Sequence, residues 1–203
     1  MSKNTQNKYT FITDTSIVIA NQKGSVGKSP LSFNIAYDLN MKIITNDKSA
    51  LIGCYKENTA LTNTIEFQQN TVYDCGGFTA PGILEVVKKV DLVIIPVFND
   101  PSSLIQTKDT LKQLLPFAKK IIIVTTKTEG KDAEIIKKSL DKKYPNLTYF
   151  NLPLTKAFNH SLKKGKSIKE LVAKDKIQNN WFGDFVENHY EPLLVHIKKE
   201  LGA

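Results

Sequence analysis

IVIANQKGSVGKSP, residues Ile17 to Pro30, decides how the chain is read, because an apolar run ends in a glycine-bearing loop that passes directly into a helical segment. Strand, loop and helix in that order is the context a phosphate-binding loop requires. Gly24 and Gly27 let the backbone curl so that successive N–H groups point inward, and the helix N-terminus adds its partial positive charge. Lys28 is then expected at the β- and γ-phosphates of a nucleotide, and the Ser29 hydroxyl at Mg2+. The expected cradle is Gly24, Ser25, Val26, Gly27, Lys28, Ser29 and Pro30.

Outward from this loop, short runs rich in β-branched residues alternate with helix-period segments, the pattern of an α/β protein with a mostly parallel, doubly wound sheet flanked by helices. Strands are expected at 17–20, 42–45, 71–74, 92–96, 121–125 and 148–152, several covered on both faces. Helices are expected over 29–39, 83–90, 133–143 and 156–162. Another starts at Asp100 and Pro101, an N-cap and first-turn pair. After a break at Gly165 the chain resumes near Ile168 and ends in a segment with Trp181, Phe182, Phe185 and Leu193, which Pro192 must turn or kink.

With 203 residues, 41% hydrophobic, the chain can bury one substantial core, so one P-loop domain over 1–203 is expected, with 1–15 as a flexible tail. The longest apolar stretch, near Leu92 to Val97, falls far short of the roughly 20 residues of a membrane span. A polar N-terminus without an apolar h-region implies a cytoplasmic protein. Cys54 and Cys75 suit neither a disulfide framework nor a metal site, and His160, His189 and His196 form no metal pattern. The net charge is +8 and all 28 basic residues are lysine. A chain without arginine cannot supply an arginine finger, so phosphate charge must be met by lysine, backbone N–H groups or metal. The positive balance favours polyanions, although AT-rich coding would give a lysine excess too.

Lys23 before Gly24, with Gln22 where the ordinary loop has glycine, resembles the deviant Walker A loop of the ParA and MinD family of dimeric ATPases. That resemblance implies ATP and Mg2+ as cofactors, and a homodimer on ATP binding in which Lys23 crosses to the partner's phosphates. TVYDCGG at 71–77 is similar to the family's Walker B region, which implies Asp74 at Mg2+ and Gly77 near the γ-phosphate. Asp47 matches the second acid of the Asp-x-Asp motif, implying that it positions the attacking water. DLVIIPVFNDPSSL (91–104) and IIIVTTKTEG (121–130) resemble the small ParA-type, ParF-like plasmid partition ATPases. There the resemblance implies Thr125, Thr126, Lys127 and Pro153 near the adenine.

Four features depart from the family pattern, three residues and one spacing. Ser25 replaces a loop glycine, which matters where φ is positive. Pro30 lacks the N–H that the usual threonine gives the α-phosphate, a loss of about 1.5–3 kcal/mol. Thr45 replaces the first acid of Asp-x-Asp, and residues 48–73 are too few for the usual intervening strand and helix, so a smaller sheet is expected. These departures imply a weakened or inactive ATPase.

From Lys156 to Lys176 there are seven lysines against two acids, a net of +5. Such a run is often only a solvated face. The family resemblance implies instead nonspecific DNA binding through Lys156, Lys163, Lys164, Lys166, Lys169 and Lys174. MinD relatives end in a membrane-binding helix, but Pro192 and the acids Asp184, Glu187 and Glu191 oppose that here, so packing against the domain and no membrane partner are expected. The resulting reading is a nucleoid-associated partition ATPase working with a ParB-like centromere-binding protein. Its rivals are a non-hydrolysing, nucleotide-dependent DNA-binding switch and a small-molecule ATP-dependent ligase resembling dethiobiotin synthetase.

Overall fold

A computed structural model describes residues 15–48, 51–76 and 81–202. Gly77 and residues 1–14 of the expected tail lie outside the described residues. Seven parallel strands, β1 (Ser16–Asn21), β2 (Lys42–Thr45), β3 (Thr59–Leu61), β4 (Thr71–Gly76), β5 (Leu92–Val97), β6 (Ile121–Thr128) and β7 (Thr148–Pro153), form one sheet in the order β3-β2-β4-β1-β5-β6-β7.

The sheet is covered on both faces, as its nearly continuous apolar strands require. Along β1, Ile17 and Ile19 point into one core with Leu31, Phe33, Leu193 and Ile197. Val18 and Ala20 point into the other, with Tyr73, Val93, Leu111 and Leu140. Helices α1 (Lys28–Leu39), α2 (Leu51–Cys54), α3 (Ile83–Val87), α4 (Pro101–Leu114) and α5 (Asp132–Asp141) link the strands. The Asp100 side chain accepts from Ser103 N at 3.0 Å and caps α4. After β7 come α6 (Ala157–Lys164), α7 (Ile168–Lys174), α8 (Lys176–Phe185) and α9 (Glu191–Glu200). Gly165, at φ 62°, ends α6 in the left-handed conformation.

Two expectations are corrected. The sheet is not reduced, because 48–73 holds α2, a 3-10 turn at Lys56–Asn58 and the seventh strand, β3. β3 is a three-residue strand at the sheet margin with Ala60 and Leu61 exposed, so it has no apolar run to betray it. Of the turn or kink expected at Pro192, the turn is absent and the irregularity is a π-helical one. A π-helical stretch, Val186–Tyr190, carries the chain from α8 into α9, with Pro192 in the first turn of α9. The wider π winding relieves the missing N–H and the clash of the ring with the preceding turn. The last segment then buries Tyr190, Leu193, Leu194 and Ile197 against the core beside α1. No helix among the described residues is long and apolar enough to cross a membrane.

Candidate functional site

The expected phosphate loop leaves β1 at the C-terminal edge of the sheet, between β4 and β5. The chain leaves β1 toward β2 on one side and later crosses from β4 to β5 on the other. Such a switch point is where open α/β sheets bind ligands.

Asn21, the buried last residue of β1, shapes the loop. Its amide donates to Pro96 O and to Thr107 Oγ1, each at 2.8 Å, while its side-chain oxygen accepts from Lys23 N at 2.9 Å. Sequence reading missed Asn21, although a polar residue closing an apolar run is a signal. Gly27 takes φ 90°, and Ser25 takes φ 61°, a left-handed conformation that strains a residue with a Cβ. Ser25 is exposed, so glycine there loses no packing. Ser25→Gly is therefore expected to stabilise the protein by about 1 kcal/mol, raising the melting temperature by about 2–4 °C. A lower melting temperature in thermal denaturation contradicts the strain assignment.

The Lys28 ammonium donates to the carbonyls of Asn21 at 3.1 Å and Lys23 at 2.9 Å. Burial lowers its pKa below the usual lysine value, against the attraction of Asp74, Cys75 and Asp47. It makes no ion pair among the described residues. A desolvated cation held only by neutral carbonyls suits an incoming phosphate anion. Lys23 is half-buried beside it.

Asp74 in β4 stands beside Ile19 of β1 and Thr45 of β2, and is 1% exposed. Ser29 donates to its Oδ2 at 2.7 Å and Ser32 to its Oδ1 at 3.1 Å. Burial raises its pKa despite these two hydroxyls and the nearby Lys28. Asp74 has no ion-pair partner among the described residues. The Ser29 hydroxyl and this carboxylate form a hard oxygen pair that fits Mg2+, which takes few protein ligands beside substrate phosphates and water. There they would hold the ion, whose chemistry is to neutralise phosphate charge. Asp74→Asn is expected to raise the melting temperature without nucleotide, because it removes a charge whose burial outweighs its two hydroxyl donors and the nearby Lys28, while weakening Mg2+-dependent nucleotide binding. Calorimetric melting and binding test both. A melting temperature unchanged or lowered contradicts the assignment of Asp74 as a charge whose burial outweighs its partners.

Asp47 follows β2 and touches Gly76, where an added Cβ would come within 2.9 Å of the Asp47 Cβ. The Thr45 hydroxyl accepts from Asp47 N at 3.1 Å, and Asn46 exchanges hydrogen bonds with the Gly76 backbone at 2.8 and 3.2 Å. These bonds tie the ends of β2 and β4 together.

Beyond the loop, Pro30 and Leu31 face Thr126, Lys127, Leu152, Pro153 and Phe158 across an open pocket. Thr126 bonds the Val26 carbonyl at 2.9 Å and Lys127, at φ 53°, bonds that of Ser25 at 2.8 Å, so β6 straps the loop. Thr125 is not in the lining. Its hydroxyl points to Asn151 Oδ1 at 2.8 Å, because alternate residues of a strand face opposite ways. Leu31, Leu152 and Phe158 were missed, since apolar residues in a strand and two helices carry no site signal of their own.

The basic segment does not present its six expected lysines as one free patch. Lys166 and Lys174 both pair with Glu170, at 3.3 and 2.7 Å, and Lys169 pairs with Glu191 at 2.7 Å. Glu170 also accepts from Tyr37 of α1, and Lys174, then Tyr37, hold its pKa down at about 2. Lys156, Lys163 and Lys164 are exposed and make no ion pair among the described residues.

No protein-family model matches the chain, and no curated protein matches it in sequence. Solved structures do. Apo McdA of Cyanothece is 13% identical with a TM-score of 0.62, over 85% of this chain and 99% of that one. A ParA family ATPase from Chlorobium tepidum is 14% identical with a TM-score of 0.55, over 86% and 98%. The septum site-determining protein MinD of Pyrococcus horikoshii, complexed with Mg-ADP, is 10% identical with a TM-score of 0.55, over 86% and 95%. The chain has the parallel α/β fold seen in McdA, MinD and ParA family structures.

Proposed function

We propose that the chain is an ATPase of the ParA and MinD type that binds ATP with Mg2+ at the 24–30 loop, pairs with a second copy, and acts in DNA partition. The observation that carries this reading is the buried Lys28 ammonium, held by the Asn21 and Lys23 carbonyls beside the Ser29 and Asp74 pair. Lys28 binds the β- and γ-phosphates, Ser29 and Asp74 hold the cation, and Thr126, Lys127 and Pro153 border the nucleoside. Asp47 orients the water that attacks the γ-phosphate, giving ADP and phosphate. Lys23 meets the partner copy's phosphates, a role open to lysine in a chain that has no arginine. The ATP-bound dimer binds DNA without sequence preference, associates with the nucleoid, and responds to a separate ParB-like centromere-binding protein.

A second reading is a nucleotide-dependent switch that hydrolyses little, favoured by Thr45, whose hydroxyl serves the Asp47 backbone where an acid is expected. ATP turnover measured with and without duplex DNA, alongside ATP binding, separates them. Turnover that DNA alters supports the ATPase, whereas saturable ATP binding without phosphate release supports the switch. Absence of ATP binding overturns both.

A further inference from the structure

Ser32 lies one turn into α1, four residues beyond Lys28, and is fully buried. Its hydroxyl sits 3.0 Å from the Lys28 carbonyl and 3.1 Å from Asp74 Oδ1. The hydroxyl has one proton and these are two acceptors. An ionised carboxylate is the stronger acceptor, so the proton goes to Asp74. Ser29 takes the other oxygen, Oδ2, at 2.7 Å. The carboxylate is therefore held from both sides by serines three residues apart on one helix face. With its proton committed to Asp74, the Ser29 hydroxyl keeps its lone pairs for a cation. If Ser32 is lost, Oδ1 keeps no side-chain donor among the described residues, and the carboxylate can turn about its last bond.

We infer that Ser32 is a positioning residue: acting through Asp74, it sets the Ser29 and Asp74 oxygens for the Mg2+ that accompanies the nucleotide. This rests on the nucleotide-binding reading above. Ser32 touches no expected ligand, so its effect must pass through the carboxylate. Partners that orient metal ligands typically change metal affinity by about 10–100-fold when lost.

The test is ATP binding by calorimetry across a Mg2+ series and in EDTA, on the full chain. Ser32→Ala is expected to raise the half-saturating Mg2+ concentration by about tenfold, with ATP affinity in EDTA unchanged. Ser32→Cys fills the site with a slightly larger group but offers only a weak donor, so it should behave like Ser32→Ala. In an Asp74→Asn background, Ser32→Ala should change nothing further. A shift below about twofold overturns the inference, as does Ser32→Cys behaving as wild type, which would make the effect one of packing. Equal weakening in EDTA, or an undiminished effect in the Asp74→Asn background, also overturns it. A wild-type chain that binds no ATP at saturating Mg2+ overturns the nucleotide reading itself.

Discussion

Lys28→Ala is expected to lower ATP affinity by about a hundredfold or more. Among the loop's side chains only Lys28 places a cation over the cradle while held by neutral carbonyls, at 3.1 and 2.9 Å. A hydrogen bond to a charged group is worth about 1.5–3 kcal/mol, and the ammonium can serve two phosphates. Each 1.4 kcal/mol is about tenfold in affinity. Removing the ammonium relieves its desolvation but leaves the Asn21 and Lys23 carbonyls without their donor and the buried Asp74 without its nearby cation, so thermal melting of the variant is read beside the affinity. Calorimetric titration with MgATP checks the affinity, and unchanged affinity contradicts the phosphate-loop assignment.

The second large effect concerns DNA, and the ion pairs sharpen it. Lys156, Lys163 and Lys164 are free to meet phosphates, while Glu170 and Glu191 engage Lys166, Lys174 and Lys169. Changing Lys156, Lys163 and Lys164 together to glutamine should remove most nonspecific binding. It should also reduce the salt dependence of affinity, by a log-log slope of about 0.9 for each duplex phosphate that is no longer neutralised. Nucleotide affinity should stay the same. Glu170→Gln should act in the opposite direction, since it frees Lys166 and Lys174. The proposed dimer would carry two patches to one duplex, so avidity should make ATP strengthen binding. Gel-shift titrations at several salt concentrations decide this. Full binding after the triple change contradicts the assignment of these lysines.

Much of the architecture was legible because its signals are local. Ile17 to Ala20 and Ile121 to Thr125 are β-branched runs covered on both faces, and Asp100 with Pro101 marks a helix start by cap chemistry alone. β3 was not legible, because three residues at the sheet margin need neither an apolar run nor alternation. The π stretch before Pro192 escaped for a related reason: proline signals a defect, and packing of Tyr190 and Leu193 into the core decides how that defect is absorbed. In the site, glycine spacing and the Lys28–Ser29 pair announced the loop. Asn21 was marked only as a polar residue closing an apolar run, and Ser32 not at all, because their partners, Pro96, Thr107 and Asp74, lie far away in sequence. The lysine cluster shows the converse limit. Its charge was plain in the sequence, but the pairing of Lys166, Lys169 and Lys174 with Glu170 and Glu191 depends on which side chains the helices bring together.

ATP is proposed to switch the chain into a dimer through Lys23, and light scattering of wild-type and Lys23→Ala protein with a nonhydrolysable ATP analogue and Mg2+ tests it. Wild type should double in mass with the analogue and stay monomeric without it. Lys23→Ala should bind the analogue with nearly wild-type affinity and remain monomeric, because the proposed target of Lys23 lies on the other copy. A wild-type chain that stays monomeric when saturated, or a Lys23→Ala chain that dimerises as wild type does, contradicts the account.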